Sequence, residues 1–150
     1  MRYQETGGLH LDFHGATNTT IDYVASKYGV EALRGIFFKV GRDVYKDIRE
    51  HLARGDVAEL VKHWRHFLDR EGADYSVETT PDGARLTMRQ CPAVRHVKRL
   101  GLKLSEHFCE QTEHVNRGLC DGTPFEIVTE RAGEGCCAQT LRRRPHHDPQ

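Results

Sequence analysis

The chain has 150 residues, and its 22 Lys+Arg balance 22 Asp+Glu, so the formal net charge is zero and the pI is near 7.1. That balance argues against a dedicated nucleic-acid binder, which carries a basic excess, and no run approaches the ~20 apolar residues that span a bilayer. A hydrophobic fraction of 37%, to which 14 Gly add on a broader count, suffices for one compact domain, and what stands out is chemical: 10 His and 5 Cys.

In chain order, residues 1–16 show little periodicity and carry His10, Asp12 and His14. Asn18 to Thr20 offer N-cap side chains for a helix through Ile21, Val24, Ala25 and Tyr28, which Gly29 ends. A longer amphipathic pattern runs from Leu33 through Phe37, Val40, Val44 and Ile48 to Leu52, interrupted by Gly35 and Gly41. Asp56 and Glu59 read as a capping box for a third stripe, Val57 to Leu68, and Glu71-Gly72 closes the helical half. His51, His63 and His66 are expected on solvated faces.

The period then changes. Tyr75, Val77 and Thr79 alternate with polar residues, Pro81-Asp82-Gly83 signals a turn, and Leu86 and Met88 alternate after it, which predicts a β-hairpin. Cys91-Pro92 opens a short helix ended by Gly101. Ser105 is expected to cap another, with Phe108, Thr112, Val115 and Leu119 on one face. Phe125 to Glu130 and Cys136 to Arg142 read as two strands around a Gly-rich turn. The expected architecture is α+β: N-terminal helices packed on an antiparallel sheet of about four strands, two hairpins separated by two helices. One domain covers residues 1–143, with a helical half, 1–72, and a hairpin-helix-helix-hairpin half, 73–143; a disordered tail is expected over 144–150 and includes His146-His147.

The five cysteines, Cys91, Cys109, Cys120, Cys136 and Cys137, are odd in number and all lie in the second half. The opening residues lack an apolar core of signal-peptide type. A reducing cytoplasm is therefore expected, with thiols free for catalysis, metal binding or packing. Vicinal Cys136-Cys137 is not a zinc spacing, and no Cys-x-x-Cys pair occurs.

Three constellations carry chemistry. Cys91 precedes Pro92, a favoured first helical residue, so it is expected at a helix N-cap where backbone N–H groups and the dipole favour thiolate. Cys109, Thr112, Asn116 and Cys120 would share one helical face that either lines a cavity or holds satisfied core groups. If His10-Leu11-Asp12-Phe13-His14 is extended, both imidazoles and the carboxylate point one way. That set suits zinc or non-haem iron, or an imidazole base (His14) oriented by Asp12. A mobile polar N-terminus is the plain alternative.

The segment Cys91-Pro92-Ala93-Val94, then Gly101, Phe108-Cys109-Glu110-Gln111-Thr112 and the Gly-rich hairpin with Cys136-Cys137, resembles the L-2-amino-thiazoline-4-carboxylic acid hydrolase family over about residues 75–143. The resemblance implies opening of a small nitrogen- and sulfur-containing ring by attack on an amidine-like carbon. The family's first, second and last cysteines would fall on Cys91, Cys109 and Cys137, with Cys136 a rival for the last. Thr112 stands where an acidic residue is expected. The cysteine layout is also similar to small-molecule-sensing domains of the 4-vinyl-reductase type, which bind ligands or metals and often dimerise.

Two functions follow as expectations. In one, a hydrolase cleaves a C–N bond of a small heterocycle or amide, with Cys91 the nucleophile, His14 and Asp12 moving the proton, and Cys109, Thr112, Asn116 and Cys137 lining the substrate site. In the other, a non-catalytic sensor holds a small molecule or a metal, zinc or iron, on His10, His14, Cys91 and Cys109. Neither needs nucleic acid or a membrane, and a homodimer through the helical half is expected.

Overall fold

The structure, a computed structural model, describes residues 7–145. Its elements are helices α1 (Phe13–Tyr28), α2 (Val30–Lys39), α3 (Lys46–Ala53) and α4 (Ala58–Arg70), strands β1 (Asp74–Thr80) and β2 (Gly83–Gln90), helices α5 (Pro92–Arg99) and α6 (Glu110–Leu119), and strands β3 (Phe125–Gly133) and β4 (Cys136–Arg143). A π-helical turn, Val40–Val44, joins α2 to α3. The class is α+β, with helices preceding and covering a four-stranded antiparallel sheet in the order β1-β2-β4-β3.

Pairing sorts the side chains by face. Ala84 lies opposite Leu141, Leu86 opposite Gln139 and Met88 opposite Cys137, and β3 places Arg131 on that same Cys137 rung. The inner face packs Ala84, Leu86, Phe125 and Leu141 against Ile48, Leu52, Leu60, Trp64 and Leu119 of α3, α4 and α6. Each large apolar side chain so buried contributes about 1.5–3 kcal/mol. The outer face carries cross-strand ion pairs, Arg85–Glu130, Arg89–Asp74 and Arg142–Glu126. A second core joins Ile21 of α1 and Leu33 of α2 to Ala93, Val94, Val97 and Phe108.

Two glycines set the spacing between the helices. A Cβ on Gly41 would overlap the Val115 carbonyl oxygen, and one on Gly118 would overlap the Phe38 carbonyl oxygen. The π turn therefore presses its backbone on α6, and its Tyr45 N–H donates to the Val40 carbonyl at 3.2 Å across one extra residue.

The local expectations diverge from the structure at four places. Helix α1 starts at Phe13 rather than after Asn18, because one side of its first turn is buried: His14 and Gly15 face inward, Gly15 beneath Leu100 and Leu102. Asn18, which signals a cap in sequence, instead ties α1 to the loop before α6, donating to the Lys103 carbonyl at 2.9 Å and accepting from Ser105 N–H at 2.9 Å. Ser105 accepts from His107 N–H at 3.2 Å, yet the helix proper begins five residues later, at Glu110. The long pattern from Leu33 to Leu52 divides at the π turn and Tyr45.

The expected tail is anchored at its first residue. Arg144 donates from N–H to the Pro124 carbonyl, from Nε to Phe125 O at 2.8 Å and from its guanidinium to Cys120 O at 3.0 Å. His146 and His147 lie outside the described residues.

Candidate active site

Cys91 is the N-cap of α5, with Pro92 at the first helical position, as the Cys-Pro sequence requires. Its extended backbone (φ −69°, ψ 121°) ends β2 and turns the thiol toward a cavity of about 210 Å³. Its N–H donates to the Gly135 carbonyl at 2.8 Å, so the β3–β4 turn holds it in place. Around the same cavity stand His14 from α1, Cys109, Gln111 and Thr112 at the start of α6, and Arg131, Cys136 and Cys137 from the second hairpin, with Ala93, Val94 and Phe108 as apolar wall.

The cavity lies at the edge of the second core, whose Ala93, Val94 and Phe108 face Arg131, Cys136 and Cys137 of the second hairpin across it. Five of the expected residues, His14, Cys91, Cys109, Thr112 and Cys137, thus converge from α1, α6 and β4 and from the residues just before α5 and α6. Both rivals for the last cysteine face in. The register irregularity between Arg131 and Gly133 turns the hairpin end, and Cys136 donates its S–H to the Arg89 carbonyl at 3.0 Å.

The partner of His14 is not Asp12. His14 Nε2 lies 3.0 Å from Glu71 Oε2, and both side chains are about nine-tenths buried, 9% and 12% exposed. Asp12 instead meets His96 Nε2 at 2.9 Å, and Arg99 bonds the other ring nitrogen, Nδ1, at 2.9 Å. The His-x-Asp-x-His stretch is not extended: residues 11 and 12 turn into α1, which rotates Asp12 away from His14 and leaves His10 exposed. His10 does not line the cavity. Glu71 sits at the C-terminal end of α4, an unfavourable place for an anion unless it is partnered. That mismatch was its one signal in the sequence.

Burial governs the thiols. It pushes Cys91 above the ordinary thiol value and outweighs the N–H groups of Val94 and Ala93, while the nearby Glu71 charge raises it further and Arg95 lowers it. The expectation of a resting thiolate is therefore corrected: the helix N-terminus acts, but desolvation is larger. Burial likewise raises Cys109, against Arg131, and holds Cys137 up at about 11, with Cys91 and Cys109 adding to the effect. Cys120 lies outside the cavity in the sheet core and rises to about 12 for the same reason.

Asn116 lines a different cavity. It donates to Gln139 Oε1 at 2.7 Å and borders a second space of about 300 Å³ with Phe37, Val40, Tyr45, His63, Trp64 and Leu119. His63 and His66 are accordingly half-buried rather than solvated, with rings packed on Phe67, and His51 pairs with Asp56 at 2.8 Å.

The ligand atoms of Glu110, Glu113 and His114 lie within 4.8 Å of one another, a group of three that among the described residues could hold a metal ion. Both carboxylates are already neutralised: Arg34 grips Glu110 through two bonds of 2.9 and 3.0 Å, and Arg131 grips Glu113 at 2.8 Å. His114 completes the network at 3.1 Å from Glu110. Two guanidinium groups oppose a cation there, so the donor set does not suit zinc or iron.

No family model and no curated protein matches the chain. The site defines a class by its own geometry: an α+β protein with a thiol-lined cavity between its second core and the β3–β4 hairpin. Among the described residues, no helix is long and apolar enough to cross a membrane.

Proposed function

We propose that the protein is a hydrolase acting on a C–N bond of a small heterocycle or amide, with Cys91 as nucleophile. One observation carries this reading: Cys91, at a helix N-terminus, shares a cavity with His14, whose Nε2 is held by the buried carboxylate of Glu71. With Nε2–H donating to Glu71, Nδ1 is left as the acceptor. The resemblance to L-2-amino-thiazoline-4-carboxylic acid hydrolases points to the same reaction.

The resting thiol is neutral, so a base must take its proton as substrate binds. Sγ of Cys91 bonds to the amidine-like or carbonyl carbon as its proton passes to His14 and the π pair of the double bond moves to the attached nitrogen or oxygen. That pair re-forms the double bond as the C–N bond breaks, whose electron pair stays on the leaving nitrogen and takes the proton from His14. Water next adds to the carbon in the same way, giving a proton to His14, and the S–C bond breaks with its pair on sulfur, which takes that proton to restore the thiol. The α5 N–H groups face the developing negative charge, and Arg131 supplies positive charge at the cavity wall.

Cys91→Ser is expected to abolish turnover on a panel of thiazolines, other small cyclic amidines and amides, and His14→Ala to lower it about 10²–10⁴-fold. Turnover unchanged in Cys91→Ser sinks the assignment. The second reading, a sensor that holds its ligand without turnover, is favoured by the raised thiols of Cys91, Cys109 and Cys137. A panel compound that raises Tm while forming no product supports it over hydrolysis.

A further inference from the structure

The reacting cavity is small. At about 210 Å³ it falls below the ~300–1,000 Å³ of ordinary ligand pockets. The second space, about 300 Å³, shares Gln111 and Thr112 with it as common wall, and the two together enter that range. The inner cavity is the more enclosed, as a site that excludes water must be, and the outer one the more open. Neither Gln111 nor Thr112 makes a side-chain hydrogen bond within the described residues, so both can turn aside without losing a partner.

The outer wall is aromatic: Phe37, Tyr45 and Trp64 face Val115. The π turn builds part of it. Five residues separate Val40 and Tyr45, a spacing that an α-helix would splay, yet the extra residue of the π turn brings both to this cavity.

We infer that the two cavities form one two-part site, in which the electrophilic group of the substrate reaches Cys91 and an apolar aryl or branched-alkyl substituent fills the outer chamber past Gln111 and Thr112. The inference rests on the proposed reaction at Cys91 and names the substrate class: a substituted heterocycle or amide, not the bare ring. An aryl group in the outer chamber meets three aromatic side chains at once, the contact that gives such pockets their selectivity.

The chamber carries its own reporter, since Trp64 is the one tryptophan of the chain. The intact protein is reacted with iodoacetamide and with N-(phenylalkyl)iodoacetamides of increasing chain length. Peptide mass spectrometry follows Cys91, glutathione serves as reference thiol, and Trp64 emission is recorded. At one tail length the phenylalkyl reagent is expected to gain about tenfold over iodoacetamide, relative to the same pair on glutathione, and to shift Trp64 emission. Val115→Phe, which fills the outer chamber, is expected to return the ratio to that of glutathione.

A glutathione-like ratio at every length, with Trp64 emission unmoved, overturns the two-part site and leaves the nucleophile standing. If iodoacetamide fails to label Cys91, the nucleophile falls instead. The chamber is then read by titrating non-reactive N-(phenylalkyl)acetamides against Trp64 emission, where no change overturns it.

Discussion

His14 and Glu71, 57 residues apart in sequence, meet at 3.0 Å and tie the first helix to the end of the fourth. The pair holds an imidazole on the wall of the cavity that Cys91 also lines, while the carboxylate opposes ionisation of that thiol. Glu71→Gln keeps a hydrogen-bond partner and removes the charge. Its pH profile for alkylation of Cys91 is expected to shift to lower pH, because one cause of the raised thiol is gone. Turnover by the proposed hydrolase is nonetheless expected to fall about 10²–10⁴-fold, since His14, its proposed base, loses its ionic support. Stopped labelling across pH 7 to 11 checks the first outcome; an unmoved or higher midpoint refutes it.

Helix spacing depends on Gly41 and Gly118. Gly118→Ala drives a methyl into the Phe38 carbonyl oxygen, a backbone atom that cannot swing aside. A loss of about 1–3 kcal/mol or more is expected in urea unfolding. Gly35→Ala is the control: nothing lies within 4 Å of its Cβ position, and the same measurement should show a gain of about 0.4–1 kcal/mol. Equal effects at the two positions would contradict the backbone contact.

Alkaline pH tests the buried thiols. Cys120 and Cys137 titrate at about 12 and about 11 in the folded chain, above the ~8.5 of an unfolded cysteine. Below that unfolded value both states hold the proton, and the stabilisation is fully present. Above it the unfolded chain binds fewer protons, so stability falls by up to about 1.4 kcal/mol per pH unit per thiol until the folded thiol ionises. Cys120→Val should flatten this fall between pH 9 and 12 in denaturation curves. A slope identical to that of the unsubstituted chain would count against it.

Acid tests the opposite sign at Glu110. Arg34 holds that carboxyl below its ordinary value, burial opposing. Its contribution is therefore present above the unfolded carboxylate range, ~4.3, and is lost as pH falls through the folded value. The Arg34 side chain is 38% exposed, so the contribution is modest. Arg34→Met should lower stability at pH 7 and make the loss on acidification shallower, as followed by thermal melts from pH 7 to 3.

The class of fold was legible because both periods were clean: alternation at Tyr75–Thr79 and Leu86–Met88 became a paired hairpin, and Cys91-Pro92 became a helix start. Cys91, Cys109 and Thr112 were legible as neighbours of one cavity because two helix starts place them, and Cys137, which the resemblance implied, lines it as well. The rest was tertiary. Asn18 looks like a cap to its neighbours and serves as a bridge to Ser105, 87 residues away. Asp12 and His14 look like partners by spacing, and the onset of α1 parts them toward His96 and Glu71. Arg131 was not singled out, because a lone charge on a hairpin carries no local pattern, and Glu71 offered only its adverse place at a helix C-terminus. The direction of the Cys91 shift was also hidden, since desolvation depends on what covers a thiol and sequence reveals only the helix beneath it.

The bond from Cys91 N–H to the Gly135 carbonyl ties a surface turn to the proposed nucleophile. Gly135 has φ +75°, and a Cβ there would sit 3.5 Å from Val94 and 3.8 Å from Cys91, so turn and thiol are set by one backbone geometry. Lengthening or shortening that loop by a residue would re-aim the sulfur while leaving the side chains of His14, Cys109 and Thr112 in place. Gly133 and Gly135 themselves border the cavity, so a change at residues 133–135 alters the aim of the sulfur and the wall beside it together.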